Sequence, residues 1–460
     1  MSILTPKDMN TKKILLSALL MLTGLTSANA QQKLVGGDIS VLPSYEAKNA
    51  PYKDKNGVAI TDVIDFMKTQ GCNAMRVRLF FDPNSGVTHD AVGAFQDLEY
   101  IKPLCKRIKD AGLYLLLDFH YSDTWTDPGK HSKPLSWQSL TTAQLVEKMY
   151  TYTKETLQAL KEAGGTPDGI QVGNELNVGQ LWDTGKCTPW DASSAKLKNF
   201  IDFINSAIQA CREECPQAQV VFHVAMSYQS VGNSNNNNYV RGWADMLQQK
   251  GVDYDVFGLS YYPYYHGPLT ELETLLTWFE TNYPNREVQV VEAGYPNAWY
   301  PSDAKYNYTS VYAATEEGQR KFTADLITKL NSHPQVKGLY WWYPEALGNF
   351  VDATSWYNMG LWNNTSYRAL KALYELKNFL PDPSGIESLT RDASPMGDGS
   401  AYYDLQGRKL STVNGKQSSV NGKQSSVNGK QSSVNGKPLT VNSKLPKGLY
   451  IHQGKKVIVK

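Results

Sequence analysis

The sequence predicts an α/β fold, a (β/α)8 TIM barrel with a flexible C-terminal extension. Short apolar runs recur through residues 33–380, and each is followed by a longer stretch with helical periodicity. Eight such repeats in about 350 residues suit a closed barrel with long loops. A doubly wound sheet is the alternative, but no glycine-rich phosphate-binding loop follows the first predicted strand.

The predicted strands are short runs rich in apolar residues. They are 34–40, 74–80, 114–120, 169–175, 219–225, 256–262, 288–294 and 337–344. Amphipathic stretches lie between them, among them DLEYIKPLCKRIKDAG, TTAQLVEKMYTYTKETLQALKEAGG and EEGQRKFTADLITKLNSH. Their apolar residues recur at helical spacing, so each stretch is predicted to be a helix of the barrel.

The composition is that of an ordinary globular protein. With 460 residues, 41% of them hydrophobic and 20% charged, the chain can bury one large core and carry appended segments. The formal net charge is only +2, so nothing indicates a nucleic acid or a membrane surface as a partner. The 28 tyrosines and 11 tryptophans exceed the usual needs of a core, and some are predicted to line a binding surface. A monomer is expected.

Residues 1–30 have the pattern of a signal peptide. Lys12 and Lys13 precede the apolar stretch 14–25, and the small-residue triplet 28–30 follows it. We therefore expect an exported protein, periplasmic, on the cell surface or secreted, whose mature chain begins near Gln31. No later segment approaches the roughly 20 apolar residues that a membrane-spanning helix needs.

The predicted barrel covers residues 31–380, and the chain changes character after it. Residues 381–399 are rich in Pro, Gly and Ser and are predicted to be a linker. The tail 400–460 contains the repeated heptad VNGKQSS, which has too few large apolar residues to build a core. The segments flanking the repeats alternate well enough to form a small β unit, and they resemble the C-terminal sorting segments of some Gram-negative secreted proteins. A partly ordered tail without a role in export is the alternative.

The cysteines give little information about function. Cys72, Cys105, Cys187, Cys211 and Cys215 are an odd set, so at least one thiol is unpaired within a monomer. No CxxC pair and no zinc-site spacing occurs. They are interpreted as buried thiols, and one disulfide stays open as an alternative.

Two glutamates are predicted at the ends of barrel strands. Glu175 ends the fourth strand directly after Asn174, and Glu292 ends the seventh. Because catalytic groups on this fold lie at the C-terminal ends of the strands, the pair is predicted to face the barrel mouth. Glycoside hydrolysis needs such a pair, since one carboxyl group protonates the leaving oxygen and the other stabilises or attacks the oxocarbenium-like centre. The competing interpretation, a structural ion-pair role for both, is disfavoured by their positions on strands four and seven.

Several stretches of residues 34–380 resemble glycoside hydrolase family 53, the arabinogalactan endo-β-1,4-galactanases of clan A. They are GGDIS, GCNAMRVRLFFDP, DFHYSDTWTDPGKHSKP, VGNELNVGQLWDTGK, GLSYYPYY and VVEAGYP, of which DFHYSDTWTDP is the most discriminating. The resemblance implies an endo-acting enzyme that cleaves β-1,4-galactosidic bonds in the (arabino)galactan side chains of pectin. It implies a retaining mechanism with Glu175 as general acid/base and Glu292 as nucleophile. The expected partner is therefore a polysaccharide.

The resemblance also implies a set of substrate-binding residues. Asn174 matches the position that hydrogen-bonds the sugar 2-hydroxyl, although capping of the local turn is equally good chemistry. Arg76 and Arg78 lie two residues apart and so share one face, either the barrel interior or the helix layer. Arg76 matches an active-site arginine that orients Glu292 and keeps it ionised, and Asp118 is expected to be buried with Arg76.

His120 matches a family histidine and is a candidate sugar contact, although a histidine at a strand end is more often structural. The resemblance assigns two aromatic residues to the wall around the catalytic sugar: Trp342 as a stacking platform and Tyr262 as a hydrogen-bond donor to the nucleophile. The loop residues Trp125, Trp182 and Trp299 either extend the cleft or cap the barrel.

No cofactor is expected. Some bacterial family members bind calcium in the loop after strand seven, but residues 297–310 contain Asp303 without a dense run of oxygen ligands, whereas calcium takes about 6 to 8. No metal is therefore predicted. Tyr343 follows Trp342 where related enzymes can carry glutamate, with Glu345 two residues further on, so the contacts there stay open.

Two other functions fit the same residues. A different clan A endo-glycosidase, acting on mannan or a β-glucan, would share both glutamates. A non-catalytic glycan-binding protein on the same scaffold is the third possibility, and the presence of both carboxylates with Asn174 argues against it.

Overall fold

The computed structural model describes residues 33–86, 93–227, 238–351 and 356–381, and after these only a set of short strands between residues 386 and 459. The chain divides into two compact units, residues 1–379 and residues 380–460. The predicted signal peptide, 1–30, and the heptad repeats within 413–437 lie outside the described residues. Both of those assignments stay predictions.

The first unit contains a closed barrel of eight parallel strands, which confirms the predicted fold class. The strands are β1 Leu34–Asp38, β2 Ala74–Leu79, β3 Tyr114–Phe119, β4 Gly169–Gln171, β5 Gln219–Ala225, β6 Val256–Tyr261, β7 Glu287–Ala293 and β8 Val336–Trp342. They follow one another around the barrel in chain order, and β1 pairs with β8 to close it. Seven of them begin and end within two residues of the predicted positions, and the exception is β4.

Helices follow the strands around the outside. The principal ones are Val63–Thr69, Leu98–Asp110, Thr142–Glu162, Ala195–Glu214, Asn238–Lys250, Leu269–Asn282, Glu316–Asn331 and Lys371–Glu375. Shorter helical segments are Leu42–Ala47, Leu135–Trp137, Leu176–Val178, Pro263–His266, Gly348–Phe350 and Leu376–Phe379, and a small hairpin pairs Gly179–Gln180 with Gly185–Lys186. Local sequence fixes several helix starts: Thr141 and Gln144, for example, form a reciprocal capping box. None of the helices that the structure describes is long and apolar enough to cross a membrane.

The barrel interior changes from apolar to polar along the strand direction. Its apolar layer consists of Leu34, Ala74, Leu116, Val221, Val256, Val291 and Tyr340. Side chains of a strand alternate between its faces, so residues two positions further on share the interior face. Arg76 lies two residues after Ala74, and Asp118 lies two residues after Leu116. Both face the interior and are fully buried. The polar layer therefore lies at the C-terminal ends of the strands.

The second unit is a six-stranded sheet in the order β9-β14-β13-β10-β11-β12. Its strands are β9 Ile386–Leu389, β10 Tyr402–Tyr403, β11 Lys409–Thr412, β12 Thr440–Val441, β13 Gly448–His452 and β14 Lys455–Val459. Strand β9 lies inside the segment predicted as a linker, 381–399, and the assignment of that segment as a linker stays a prediction. β9 pairs in parallel with β14, a long-range contact that the Pro/Gly/Ser content of the segment does not reveal.

All five cysteines are buried, and none forms a disulfide. Burial raises the pKa of each thiol, for example that of Cys72 to about 12, which keeps these groups protonated and unreactive at neutral pH. They are structural residues of the barrel unit.

Candidate active site

Glu175 lies in the loop after β4, four residues beyond the end of the strand at Gln171. This corrects the prediction that strand four extends to Glu175. Gly173 turns the chain away with a φ of +120°, and a Cβ at this position would lie 2.7 Å from a Leu176 methyl carbon and 2.8 Å from the Gln180 amide oxygen. Glu175 itself has a left-handed backbone, with φ 45° and ψ 58°. A non-glycine residue in this region costs about 1 kcal/mol and is typical of functional sites.

Glu292 lies one residue before the end of β7 and faces the interior because the strand contains a bulge. Leu259 of β6 is opposite Val290, but the next residue, Ser260, is opposite Glu292, so β7 carries one extra residue here. Val291 belongs to the apolar interior layer. In regular alternation Glu292 would then point outward to the helices, and the bulge turns it into the mouth instead.

Two side chains bind the Glu292 carboxylate. A guanidinium nitrogen of Arg76 lies 3.0 Å from Oε1, and the Tyr262 hydroxyl donates to Oε2 at 2.8 Å. Both contacts occur where the family resemblance implies them. Because each favours the ionised form of the carboxylate, they hold Glu292 in the state that a nucleophile needs.

Arg76 is itself fixed by two further carboxylates. It lies 2.9 Å from Asp38 and 2.8 Å from Asp118, and all three side chains have no solvent exposure. The shared face of the two arginines is thus the barrel interior, and Asp118 is buried with Arg76 as expected. Although burial opposes its ionisation, Arg76 and His120 lower the pKa of Asp118 to about 2, so the cluster stays charged at neutral pH.

A chain of polar groups reaches Glu175 from β5 and β6. The backbone N–H of Glu175 donates to Nδ1 of His223 at 3.2 Å, and Nε2 of His223 lies 2.8 Å from the Ser260 hydroxyl. Since Nδ1 accepts, Nε2 carries the proton and donates to Ser260. Burial lowers the pKa of His223 well below its ordinary value, so the ring stays neutral. The Ser260 hydroxyl hydrogen-bonds the Glu175 side chain.

The two glutamates have unequal acidities. Burial raises the pKa of Glu175 well above its ordinary value, and the negative charge of Glu292 raises it further. Burial also raises the pKa of Glu292, but Arg76 and the Tyr262 hydroxyl counteract part of this rise. Glu292 therefore loses its proton first, and Glu175 keeps its own. This order favours a pair in which Glu292 is ionised and Glu175 is protonated.

Asn174 and His120 are both held by Thr126, in the loop after β3. The Asn174 amide donates to the Thr126 carbonyl at 2.7 Å, and its oxygen accepts from Arg76 at 3.1 Å, so it ties the β4 loop to the site and does not cap a local turn. His120 accepts the Thr126 N–H at Nδ1, and its Nε2 lies 3.3 Å from Asp118. Nδ1 of His120 is thus taken up by Thr126, whereas Nε2 is buried without a hydrogen-bond partner among the described residues.

An aromatic wall flanks the carboxylates. Trp342 lies 6.2 Å from Trp125 and 5.2 Å from Trp356 between ring centroids, and Trp356 lies 5.4 Å from Tyr262. The three tryptophans are partly exposed, so their faces are accessible to a sugar ring. Trp125, Trp342 and Tyr262 were predicted from the sequence, but Trp356 was not, because it lies in a loop where no strand or helix pattern marks it.

The other two loop tryptophans occupy different places. Trp182 packs 5.8 Å from His131, whose Nε2 lies 3.2 Å from the Glu175 carbonyl, so Trp182 flanks the loop that carries Glu175. A cleft on this side is lined by Ser132, Lys133, Gln138, Trp182, Asp183 and Thr184. Trp299 is 44% exposed and contacts Tyr357 at 5.1 Å, in a segment next to the aromatic wall. It does not join the group around the carboxylates.

The residues that the structure describes contain no group of three or more His, Cys, Asp or Glu side chains placed to hold a metal ion. Asp303 accepts a hydrogen bond from the Tyr265 hydroxyl at 2.6 Å. Glu345 is buried and accepts the Val41 N–H at 3.0 Å, so it anchors the loop after β1 and does not replace a site glutamate. The expected absence of a metal stays a prediction.

The site and the barrel together define a glycoside hydrolase: two coupled carboxylates at the mouth of a (β/α)8 barrel, beside an aromatic wall. The family model described as glycosyl hydrolase family 53 matches residues 34–379, and the chain belongs to this family.

Several family members are similar along the whole barrel. The arabinogalactan endo-β-1,4-galactanase of Cellvibrio japonicus (strain Ueda107) is 30% identical over 377 residues, covering 77% of this chain and 92% of its own. The GH53 catalytic domain of Ignisphaera aggregans superimposes with a TM-score of 0.67 at 29% identity, covering 76% of this chain and 96% of that one. A fungal β-1,4-galactanase structure gives a TM-score of 0.62 at 26% identity, covering 75% and 99%.

Proposed function

We propose that this protein is an exported endo-β-1,4-galactanase that cleaves galactan chains of pectin with retention of anomeric configuration. The proposal is carried by the unequal surroundings of the two carboxyl groups: Arg76 and the Tyr262 hydroxyl bind the Glu292 carboxylate, whereas burial and the charge of Glu292 raise the pKa of Glu175. The choice of galactan is supported by the relatives, of which several are named arabinogalactan endo-β-1,4-galactanase.

In the first step Glu292 attacks the anomeric carbon while the bond to the leaving oxygen breaks. Glu175 transfers its proton to that oxygen, which leaves as a hydroxyl group of the departing chain. The product is a glycosyl ester on Glu292. Because the charge on Glu292 has then disappeared, the pKa of Glu175 falls, and the ionised Glu175 is ready to act as a base.

In the second step Glu175 accepts a proton from water, and the water oxygen attacks the same anomeric carbon. The ester bond breaks, and Glu292 regains its negative charge beside Arg76. Two displacements at one carbon restore the original β configuration. Trp342 and Trp356 offer aromatic faces for the apolar C–H face of a galactosyl ring. Asn174 is held beside Arg76, where its side chain can hydrogen-bond the 2-hydroxyl of the sugar.

The substrate test measures reducing ends released from linear β-1,4-galactan, with mannan and a β-1,4-glucan as comparison glycans. The parent protein is expected to act on galactan and release short oligosaccharides, and Glu292→Gln is expected to lose at least 10³-fold in kcat. Glu287→Gln is the matched control, because Glu287 lies on the same strand at the opposite end of the barrel. Activity on mannan or glucan alone would keep the carboxylate mechanism and overturn the galactan assignment, and binding without turnover would indicate a glycan-binding protein.

We also propose that catalysis needs no metal or other cofactor, because proton transfer and nucleophilic attack are both supplied by the two glutamates. Dialysis against EDTA is expected to leave kcat on galactan unchanged. A loss that calcium restores would contradict this and would direct attention to the loop after β7.

A further inference from the structure

A second buried arginine, Arg78, stands beside the site without a part in the two displacement steps. Its side chain is 1% exposed, and Nη1 lies 2.8 Å from Asp38. Its Nε and Nη2 have no hydrogen-bond acceptor among the residues that the structure describes. A buried guanidinium with two donors that lack an acceptor requires another stabilising environment.

Aromatic rings supply that environment. The central guanidinium carbon of Arg78 lies 4.8 Å from the ring centroid of Trp125, 5.0 Å from that of Tyr343 and 5.4 Å from that of Trp342. At these distances a cation is attracted by the negative faces of the rings, and the attraction is strong where water is excluded. The three rings come from the loop after β3 and from the end of β8, and Arg78 is the contact they share.

Asp38 connects Arg78 to the nucleophile. Its Oδ1 binds Arg78 at 2.8 Å and its Oδ2 binds Arg76 at 2.9 Å, while Ser40 donates its hydroxyl to Oδ1 at 2.5 Å and fixes the carboxylate. Arg76 in turn lies 3.0 Å from Glu292. Asp38 therefore bridges two arginines. Arg76 contacts the Glu292 carboxylate, and Arg78 contacts the rings of Trp125 and Trp342.

We propose that Arg78 is a positioning residue for substrate binding, which fixes Trp125 and Trp342 at the tilt needed to stack on the sugar beside Glu292. This inference rests on the proposed function and deepens it. A guanidinium suits the role better than an ammonium group, since its plane binds Asp38 at one corner and presents the remaining N–H groups to the rings. A lysine at this position keeps the positive charge but cannot bind Asp38 and face the aromatic rings at the same time.

The test compares Arg78→Lys and Arg78→Met with the parent on galacto-oligosaccharides of defined length. Both variants are expected to raise KM about tenfold, because the stacking surface is no longer held in place. They are expected to change the near-UV circular dichroism of tryptophan and to leave the acidic limb of the pH profile unmoved, since Arg76 still binds Glu292. Arg286→Lys is the matched control, because Arg286 lies 3.9 Å over the Tyr254 ring at the other end of the barrel.

A double-variant cycle separates positioning from general stability. If Arg78 acts through the wall, Trp125→Phe raises KM, and adding Arg78→Lys to it raises KM by much less than tenfold. Arg78→Lys keeps the buried charge beside Asp38, so it provides the test even where Arg78→Met does not fold. A folded Arg78→Lys protein with the parent's KM and tryptophan spectrum would overturn the proposal, as would full additivity with Trp125→Phe. If the parent protein is inactive on galactan but Arg78→Lys still changes the tryptophan spectrum, the proposed function is overturned. The proposal that Arg78 positions the tryptophan rings is then not overturned.

Discussion

At the scale of single residues, environment alone separates two chemically identical side chains. Glu292 receives a guanidinium and a phenolic donor, whereas Glu175 receives the Ser260 hydroxyl and the repulsion of Glu292. The sequence predicted both glutamates, Arg76 and Tyr262. It missed Asp38, Gln171, His223 and Ser260, yet a signal existed: each is a polar residue at an inward position of an otherwise apolar strand.

Tyr262 offers a direct test of this asymmetry. Its hydroxyl stabilises the ionised form of Glu292, so Tyr262→Phe is expected to raise the pKa of Glu292. The acidic limb of the kcat/KM profile should then move to higher pH, because the nucleophile becomes protonated earlier as pH falls. We also expect kcat to fall about 10²-fold. An acidic limb at the parent's position, with the protein folded, would contradict the assignment of Glu292.

Glu345 leads to a prediction about stability. Burial, with the nearby Asp38, raises its pKa from 4.5 to about 8. Between these pH values the folded protein holds a proton that the unfolded chain has lost, so folding stability falls as pH rises from about 4.5 to about 8. Glu345→Gln removes this dependence, and its Tm should fall less than the parent's between pH 5 and pH 8 by differential scanning calorimetry. Equal losses in Tm would show that Glu345 titrates as an ordinary carboxyl group.

At the scale of elements, strand positions were predictable but the direction of the key side chains was not. Apolar runs located β7 within one residue, yet the inward direction of Glu292 depends on a bulge defined by pairing with β6. The run 169–175 concealed the turn at Gly173, because its apolar residues continue past the point where the backbone leaves the sheet. The local sequence shows the alternation of apolar and polar residues, whereas strand register and bulges depend on pairing with neighbouring strands.

Gly173 tests the importance of that turn. A Cβ there would press on Leu176 and Gln180, and φ +120° is strained for any other residue, so Gly173→Ala is expected to displace the Glu175 loop. We expect kcat to fall about 100-fold, in keeping with the cost of a misplaced catalytic group. Gly251→Ala is the control, since Gly251 also has a positive φ, +65°, but nothing lies within 4 Å of its added Cβ. Equal activity of the two variants would show that the turn does not position Glu175.

At the scale of the whole molecule, the family match and the site both lie within the first unit. Residues 34–379 carry the match, and every residue of the mechanism falls between Arg76 and Trp356. The second unit has its own sheet, including strand β9 in a segment whose composition suggested a linker. Composition indicates how well a segment can build a core, but not which distant strand it pairs with.

Removal of the second unit is therefore expected to leave hydrolysis intact. A protein ending at residue 381 should cleave soluble galactan with a kcat/KM within about twofold of the full chain, since it keeps every residue of the mechanism. The comparison uses both proteins at equal active-site concentration. A loss of tenfold or more, with an unchanged Tm, would mean that residues 382–460 contribute to substrate binding.

A double displacement by Glu292, with Glu175 as acid/base, can be followed by proton NMR during hydrolysis of linear β-1,4-galactan. The spectrum is followed in the first minutes, before the new reducing ends equilibrate. With retention, the β-anomer is expected to be released first, and the α-anomer appears later by mutarotation. Initial release of the α-anomer would contradict the retaining mechanism and would require Glu292 to act as a base toward water.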